Sequence, residues 1–424
     1  MRAAVLHAGG VIRTVTRPTP PPTPGEVLLR VTLAGICGTD LELARGYKAN
    51  AQVGCVLGHE FVGVIARRPP PLVPPVADTT ATETNTDAAA DAAAAAAAAA
   101  AEATAAADAC PPLGTRVVAE INCVTAADAV AAAAAGPDAV AEGGGIDVDA
   151  GTTSAGRAHH PRRTVVGIGG RDGAWATYVS VPVANVHPVP DVLPDTVAVA
   201  TEPFAAATAA AAVVAETLRP GGGRVAVLGA GRLGVLVALA LRMALPEGRT
   251  GITVLVRSTA GSPRTARAAE VLERAAIPLA PVGGGPYAAV VDCTGGPDGV
   301  ATALSLVRPT GLVVVKSTFA PPPSTSAEST ARAAAPAGGL TAAHLVDLVV
   351  REVRLVGSRC GNFRVALAAA TAAPVGWLDG WVSTTYDLED AADAVAAAAV
   401  PGALKVLLRM PEAEAAASEG EGGT

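Results

Sequence analysis

The sequence lacks a block of basic residues and any long apolar run. Its 31 Lys and Arg residues are scattered among 38 Asp and Glu residues, which gives a formal charge of −7 over 424 residues. Nucleic acid is therefore not expected as the main partner. The longest apolar stretches are alanine runs or short segments interrupted by Gly, Pro or charge, and none is typical of a membrane span. We expect neither a nucleic-acid-binding protein nor a membrane protein.

Cysteine is also sparse. Six cysteines in a chain of this length do not form the disulfide framework of a small secreted domain. The segment from Met1 to Leu6 is typical of a strand, and it does not have the charged start, apolar core and cleavage site of a secretory leader. Both patterns favour a reducing, cytoplasmic compartment.

What the sequence does contain is two regions with different strand and helix patterns, which predict two domains. Residues 1–68 alternate short β-rich runs with Gly and Pro, which predicts a mostly antiparallel, barrel-like unit. From residue 224, apolar strands alternate with helical segments, which predicts an α/β unit with a parallel, doubly wound sheet. The expected strands are 225–228, 252–256, 289–292, 312–315 and, near the end of the chain, 404–408; a helix is expected over 233–245.

Two alanine-rich segments interrupt the first unit, at about 69–112 and 124–163. Alanine has the best intrinsic helix propensity, but these segments offer few large side chains to bury. Helix and disorder are equally compatible with them, and we assign them no function.

The segment GAGRLG at 229–234 predicts a dinucleotide site, because it follows an apolar strand and opens an apolar helix. In such a turn Gly229 permits the tight bend, Gly231 lets the backbone approach the pyrophosphate, and Gly234 lets helix and strand pack closely. The helix start, with Arg232 and Leu233, supplies amide donors. The alternative is a tight turn without a ligand.

The end of the next strand predicts which dinucleotide binds. NAD enzymes usually have Asp or Glu there, whereas this chain has Arg257 and Ser258, and Glu247 lies before the strand. Arg257 can pair with a 2′-phosphate, Ser258 can donate to it, and Arg264 can support it. NADP is therefore predicted over NAD; the alternative is a surface arginine without this role.

Two glycine-flanked segments offer metal ligands. Cys37 and Thr39 lie in GICGTD at 35–40, and His59 and Glu60 lie in GHEF at 58–61. Cys37 and His59 are 22 residues apart in sequence, so only tertiary folding could bring them together. Taken singly, the cysteine is more typical of a buried small hydrophobe and the histidine of a satisfied core residue; the glycine-flanked setting of both and the carboxylate beside His59 favour the metal site.

Together the motifs carry a family resemblance. GICGTD, GHEFVG, RDGAWATY, TEPFAAA, GAGRLG and KVLL follow the order seen in zinc-dependent medium-chain alcohol dehydrogenases. The chain resembles that superfamily, with a likeness to its polyol-dehydrogenase branch, over nearly its whole length except the alanine-rich segments and the tail. The resemblance implies a GroES-like β-rich catalytic domain at 1–201 and 357–424, and a Rossmann domain at 202–356.

The resemblance also implies roles at the metal site. Cys37 and His59 would be zinc ligands, and Glu60 a ligand or an exchangeable near-ligand. Glu202, in TEPF, falls where the family places its third main ligand and would bind directly or through water. Asp40 would orient His59.

Further roles concern substrate and cofactor. Thr39 would touch the substrate oxygen and pass its proton outward, although Glu42 and Leu43 stand where relatives often continue the relay with histidine. Arg359 would reach the cofactor phosphates. The nicotinamide side would be lined by the segment 292–295, including Thr294 and Gly295.

The structural zinc of many relatives is not expected here. Those relatives carry four closely spaced cysteines after the second motif, whereas this chain has only Cys123 there. The sequence therefore predicts one zinc per chain.

These expectations describe a zinc-dependent enzyme of the EC 1.1.1.- type, a homo-oligomer that transfers hydride between a secondary alcohol or polyol and NADP. Two alternatives stay open: a zinc-free quinone or enone reductase of the same superfamily, and a non-catalytic NADP-binding scaffold or sensor. No motif marks the substrate pocket. Trp175, His187 and His344 could line it, but each is expected to be structural.

Overall fold

The computed structural model describes residues 1–21, 23–46, 53–70, 108–125, 154–218, 222–245, 250–257, 265–317, 340–378 and 380–412. The strands are β1 (Arg2–Leu6), β2 (Ile12–Thr16), β3 (Glu26–Gly35), β4 (Glu60–Arg67), β5 (Arg116–Ala119), β6 (Asn122–Cys123), β7 (Thr164–Val166), β8 (Gly170–Arg171), β9 (Tyr178–Pro182), β10 (Val186–Pro188), β11 (Val225–Leu228), β12 (Ile252–Val256), β13 (Leu279–Pro281), β14 (Tyr287–Asp292), β15 (Val307–Val315), β16 (Arg354–Gly357), β17 (Val382–Asp387) and β18 (Lys405–Arg409).

The α-helices pack around these strands. They are α1 (Gly38–Ala44), α2 (Ser154–His159), α3 (Asp195–Ala198), α4 (Thr201–Leu218), α5 (Arg232–Ala244), α6 (Ala266–Arg274), α7 (Pro297–Leu306), α8 (Ala342–Val350), α9 (Phe363–Ala372) and α10 (Ala391–Ala399). In the described part of the chain no helix combines the length and apolarity that crossing a membrane requires. The six cysteines all lie within the described residues, and none of them forms a disulfide bond.

The first large sheet is centred on the long strand β3. β3 pairs antiparallel with β4, β9 and β18, and the sheet runs β10-β5-β4-β3-β18-β17 with β9 also on β3. The predicted antiparallel unit is therefore confirmed. Because β18 lies beside β3, the last described strand of the chain reaches the two segments that carry the predicted metal ligands.

The second large sheet has six strands, all parallel, in the order β13-β12-β11-β14-β15-β16. Its central strands are buried throughout, as expected for a parallel sheet that is covered on both faces. The predicted strands at 225–228 and 252–256 are confirmed. β14 and β15 begin earlier than predicted, because Tyr287 and Val307 pair across a register shift.

The alanine-rich helix α4 joins the two sheets. It packs against α5, and its small residues are buried in the larger apolar core. This packing places the start of α4, and with it Glu202, beside the first sheet. The alanine-rich residues 71–107 and 126–153 lie outside the described part of the chain.

Candidate metal and dinucleotide site

Three of the four predicted metal ligands converge. Cys37, His59 and Glu60 each offer a ligand atom, and these atoms all lie within 4.8 Å of one another. Cys37 immediately precedes α1, while His59 and Glu60 stand at the start of β4, which pairs with the end of β3. Because β3 pairs with β4, Cys37 and His59 meet although they are 22 residues apart in sequence.

Asp40 ties the two segments together. Its Oδ2 accepts a hydrogen bond from the Cys37 amide at 2.8 Å, and its Oδ1 accepts one from the Gly58 amide at 3.3 Å. Oδ1 also lies 3.3 Å from Nδ1 of His59. A carboxylate at Nδ1 orients the imidazole and leaves Nε2 for a metal.

Buried charge surrounds His59. Burial alone would lower the pKa of this imidazole, but the Asp40 carboxylate and the Cys37 sulfur raise it well above its ordinary value. The surroundings therefore favour a positive charge at this position, which is the condition that a cation site requires.

Glycine is required at position 58 by close packing. Gly58 has φ +91°, and a Cβ there would collide with the indole of Trp175. Trp175 is fully buried, and its Nε1 donates to the Gly35 carbonyl at 3.2 Å. The expectation that Trp175 is structural is confirmed.

Glu60 forms an ion pair with a residue that the sequence analysis did not single out. Lys405, 1% exposed, donates to Oε2 of Glu60 and, at 3.2 Å, to the Ile36 carbonyl. Its ammonium also lies 5.0 Å from the ring centroid of Trp381. The other carboxylate oxygen of Glu60, Oε1, is buried without a hydrogen-bond partner. Lys405 is the first residue of the KVLL motif, and its place in that motif could have identified it as a site residue.

Glu202 lies near this group but outside it. It is the second residue of α4, and the pKa of its carboxyl is raised by burial, with the charges of His59 and Lys405 acting against that rise. It is not among the three residues whose ligand atoms meet. Its role as a further ligand, direct or through water, stays a prediction.

The converging donors fit zinc. A thiol, an imidazole and a carboxylate are donors that zinc accepts, and the buried, unpartnered Oε1 of Glu60 is an acceptor without a donor in the protein. Thr39 lies two residues after Cys37, half-buried in the first turn of α1. A substrate oxygen bound at this group would therefore lie near a hydroxyl.

The glycine turn has the predicted geometry. Gly229 follows β11 with φ +96°, and a Cβ at Gly234 would collide with the Gly229 carbonyl oxygen. The turn opens onto a cavity of about 610 Å³ at the carboxyl edge of the parallel sheet, where dinucleotides bind in such folds. Thr294 lines this cavity, with its amide and hydroxyl both donating to Asp292.

The other residues predicted near the cofactor are distributed as follows. Arg232 and Leu233 are the first two residues of α5, and the Arg232 guanidinium donates to the Ala398 carbonyl. Gly295, which follows Thr294, has φ +69°. Ser258 and Arg264 lie outside the described residues.

Arg257 reaches the dinucleotide cavity from the end of β12. Its side chain is 78% exposed, and Nη1 lies 3.9 Å from the Asp298 carboxylate. Asp298 is a cavity residue that the sequence analysis missed, because it lies in α7, 41 positions further along the chain. A weak, exposed ion pair leaves the guanidinium available for a phosphate.

Arg359 lies on a different cavity, of about 640 Å³. Its Nη2 donates to Asn122 Oδ1 at 3.2 Å and to the Ala158 carbonyl at 3.1 Å. It does not lie among the residues that line the cavity of the glycine turn. Its predicted contact with cofactor phosphates stays a prediction.

His187 and His344 have structural contacts. Nε2 of His187 lies 3.0 Å from Glu120 Oε1 in a buried cluster, and Nδ1 of His344 accepts from the Thr341 amide at 3.0 Å at the start of α8. Cys123 is fully buried, and burial raises the pKa of its thiol to about 12.

Comparisons with known proteins agree with this architecture. Residues 23–74 match the alcohol dehydrogenase GroES-like domain. The chain is 42% identical over 65 residues to the starvation-sensing protein RspB of Escherichia coli, and 39% identical over 72 residues to sorbitol dehydrogenase of Gallus gallus. Each match covers 15% of this chain and 19% of the relative, so the chain matches only about a fifth of the length of these proteins.

Solved structures extend the likeness to the whole fold. 2R,3R-butanediol dehydrogenase from Bacillus subtilis superposes with a TM-score of 0.64 at 20% identity, over 96% of this chain and 99% of that one. Haloferax mediterranei glucose dehydrogenase, in complex with NADP, Zn and gluconolactone, gives 0.66 at 18% identity, over 97% and 99%.

The fold is thus of the alcohol dehydrogenase type, a GroES-like unit with a Rossmann-type sheet of six parallel strands. The likeness in sequence thus covers the GroES-like segment, and the likeness of the whole chain to these dehydrogenases is one of fold.

Proposed function

We propose that the protein is a zinc-dependent oxidoreductase that transfers hydride between an alcohol, of the secondary-alcohol or polyol class, and NADP. One observation carries the proposal. Leu404 lines the cavity of the glycine turn, and the next residue, Lys405, forms an ion pair with Glu60 of the three-ligand group. A dinucleotide cavity and a set of zinc-type ligands therefore meet on one short segment.

Each residue of the site would have a separate role in the reaction. Zinc bound by Cys37, His59 and Glu60 would supply a Lewis acid that makes a substrate alcohol more acidic. Asp40 holds His59 in the orientation for binding, and the Thr39 hydroxyl is placed to take up the alcohol proton. The nicotinamide would lie at the carboxyl edge of the sheet, near Thr294, and accept the hydride.

Removal of the thiol tests the proposal. Cys37→Ala should lose zinc, measured by elemental analysis, and NADP-dependent oxidation of a panel of secondary alcohols, because the thiolate ligand is gone. NADP binding, measured by fluorescence titration, should be unchanged. Cys55→Ala, at a half-exposed cysteine outside the group, is the matched control.

The outcomes distinguish the other readings. Wild-type protein without zinc that reduces quinones or enones would be a zinc-free reductase, and NADP binding without turnover of either panel would indicate a scaffold or sensor. The expected zinc content is one per chain; two per chain would contradict the inference that no structural zinc is present.

The preference for NADP rests on Arg257. Replacing Arg257 with Glu should lower kcat/KM for NADP about tenfold or more, because a charge-assisted contact to the 2′-phosphate would become a repulsion. The value for NAD should change little. Arg308→Glu, at the amino end of β15, provides the control. Similar Michaelis constants of the wild-type protein for NAD and NADP would contradict the preference.

We also propose a homodimer in a reducing, cytoplasmic compartment. Among the described strands, β16 lies at an edge of the parallel sheet, and α8, which leads into it, exposes Leu345, Val346, Val349 and Val350. An unpaired edge beside an apolar helix face favours pairing with a second copy. Six cysteines that form no disulfide bond support the reducing compartment.

A further inference from the structure

One buried tryptophan contacts both the glycine turn and the lysine that pairs with a metal ligand. Trp381 is 1% exposed, and its Nε1 donates to the Arg232 carbonyl at 3.2 Å, at the start of α5. The centroid of its ring lies 5.0 Å from Nζ of Lys405. Lys405 in turn forms an ion pair with Glu60, one of the three converging metal ligands. A continuous series of contacts therefore runs from the dinucleotide turn to the metal ligands.

The segment that carries Trp381 is held by the unit of the parallel sheet. Trp381 packs in the larger apolar core together with residues of α5 and α6. On either side of it, the carbonyls of Gly380 and Val382 accept hydrogen bonds from Arg267 of α6, at 3.4 Å and 3.2 Å. Val382 also begins β17 and pairs with Lys405 of β18. The indole is therefore fixed against one unit, while the ammonium that it contacts belongs to the sheet of the other.

The indole completes the surroundings of the Lys405 ammonium. An ammonium has three N–H donors, and Lys405 donates to Oε2 of Glu60 and to the Ile36 carbonyl. It also lies over the indole face, and indole attracts a cation more strongly than the other aromatic rings do. Because Lys405 is buried, water does not replace this contact. The ring therefore determines the position of the ammonium and of the carboxylate oxygen bonded to it.

The position of this carboxylate matters for the metal. Glu60 forms the metal-ligand group with Cys37 and His59, and its Oε1 is buried without a hydrogen-bond partner. Since the two oxygens of a carboxylate move together, the direction of Oε1 depends on the bond between Oε2 and Lys405. Groups that hold a metal ligand in place typically change metal affinity about tenfold to a hundredfold when they are removed.

We propose that Trp381 is a positioning residue for both halves of the site. Its ring face fixes the Lys405 ammonium, and through it Glu60, for zinc. Its N–H donor fixes the Arg232 carbonyl, and with it the start of α5, for the dinucleotide. This inference rests on the proposed dehydrogenase function, which brings zinc and NADP to the site.

Two variants separate the two contacts. Trp381→Phe keeps an aromatic face for Lys405 and removes the donor to the Arg232 carbonyl, whereas Trp381→Leu removes both contacts. The matched control is Trp377→Phe, the same substitution at a half-buried tryptophan four positions earlier, which packs against the same core. Urea denaturation shows under which conditions each full-length variant is folded.

The binding test measures two dissociation constants for each protein, that of zinc by competition with a chelating dye and that of NADP by calorimetry. Trp381→Phe should weaken NADP binding about fivefold, because one hydrogen bond at the turn is lost, and should leave the zinc constant within about threefold of the wild-type value. Trp381→Leu should weaken NADP binding equally and zinc binding about tenfold or more. Trp377→Phe should change neither constant.

The kinetic test separates KM from kcat at saturating zinc and alcohol. Trp381→Phe should raise KM for NADP about fivefold and change kcat little. Trp381→Leu should raise this KM equally and also lower kcat about tenfold, because Glu60 is no longer held in position. A merely structural role would not separate the two parameters in this way.

Several results would overturn the proposal. Both Trp381 variants could change the two dissociation constants by the same factor, neither variant could change them, or Trp377→Phe could have effects as large. If Trp381→Leu does not fold, the effect of Trp381→Phe on NADP but not on zinc decides. Any of the contrary results in a wild-type protein that oxidises alcohols would leave the dehydrogenase function standing. Separate effects on zinc and NADP binding without alcohol turnover would remove the dehydrogenase function alone, and wild-type protein that binds no zinc would overturn both.

Discussion

Lys405 is surrounded so closely that its ammonium has almost no contact with water. It pairs with Glu60, donates to the Ile36 carbonyl and stacks over Trp381. Such a buried pair is expensive to break, because the remaining charge has neither water nor a partner. At the scale of the residue, one lysine therefore holds the carboxylate of the metal-ligand group in position.

Breaking this pair should cost stability. Lys405→Met is expected to lower the free energy of unfolding by about 3 kcal/mol, because the Glu60 carboxylate is left buried and unpaired. The measurement is urea denaturation of the zinc-free protein. In the double variant Lys405→Met with Glu60→Gln, most of this loss should be recovered, as a double-mutant cycle reveals. Equal and additive losses in the two single variants would argue against the pair.

At the scale of elements, a buried polar cluster joins α2, β5 and β10. Glu120 accepts from Arg157 of α2 at 2.7 Å and contacts His187 of β10 at 3.0 Å, and Asn185 donates to the Glu120 carbonyl at 2.8 Å. Cys123 of β6, the lone cysteine in the stretch where relatives carry four, lies in the core nearby. Ionic and hydrogen-bonded contacts thus connect these elements.

This cluster should make stability depend on acid pH. Burial alone would raise the pKa of Glu120, but the bonds from His187 and Arg157 lower it below its ordinary value. The stabilisation is therefore complete above the ordinary carboxyl pKa and is lost as the pH falls through the lower, folded-state pKa.

Glu120→Gln should lower the free energy of unfolding at pH 7 by about 3 kcal/mol and flatten the loss of stability below pH 4.5. Urea midpoints measured from pH 7 to pH 3 provide the check. Glu389→Gln, which removes an exposed pair with Arg2, is the control and should cost less than about 1 kcal/mol. An unaltered acid profile in Glu120→Gln would contradict the role of the cluster.

At the scale of the whole molecule, the chain returns to its first sheet after completing the second. β17 and β18 follow the parallel strands β11 to β16 in sequence, yet β18 pairs with β3 and β17 pairs with β18. The return carries Leu404 and Lys405 between the dinucleotide cavity and the metal ligands. Among the described strands, β16 forms the last edge of the parallel sheet, the edge at which we propose that a second copy pairs.

A charge on the exposed face of α8 should separate the copies. Val349 is 73% exposed, so Val349→Asp should leave the monomer folded while opposing burial of this face against a second chain. Sedimentation velocity should show a dimer for the wild-type protein and a monomer for the variant. Val375→Asp, at a fully exposed valine after α9, should remain a dimer. A monomeric wild-type protein would contradict the proposed homodimer.

Local patterns predicted much of the fold and part of the site. The glycine turn, its strand and the helix that follows could be predicted from residues 225–245, because the three follow one another directly in sequence. The type of each predicted metal ligand was visible in three short motifs, GICGTD, GHEF and TEPF. Asp298 was not found, since it owes its place in the dinucleotide cavity to a helix that is distant in sequence from Arg257.

The sequence alone determined the strand periods, the glycine turn and the candidate ligands, because these depend on residue type and short-range spacing. Tertiary structure decided which candidates meet. Pairing of β3 with β4 brings Cys37 to His59 and Glu60, and pairing of β18 with β3 brings Lys405 to them. Long-range strand pairing and the desolvation of charge it produces depend on the whole folded chain, so no local pattern contains them.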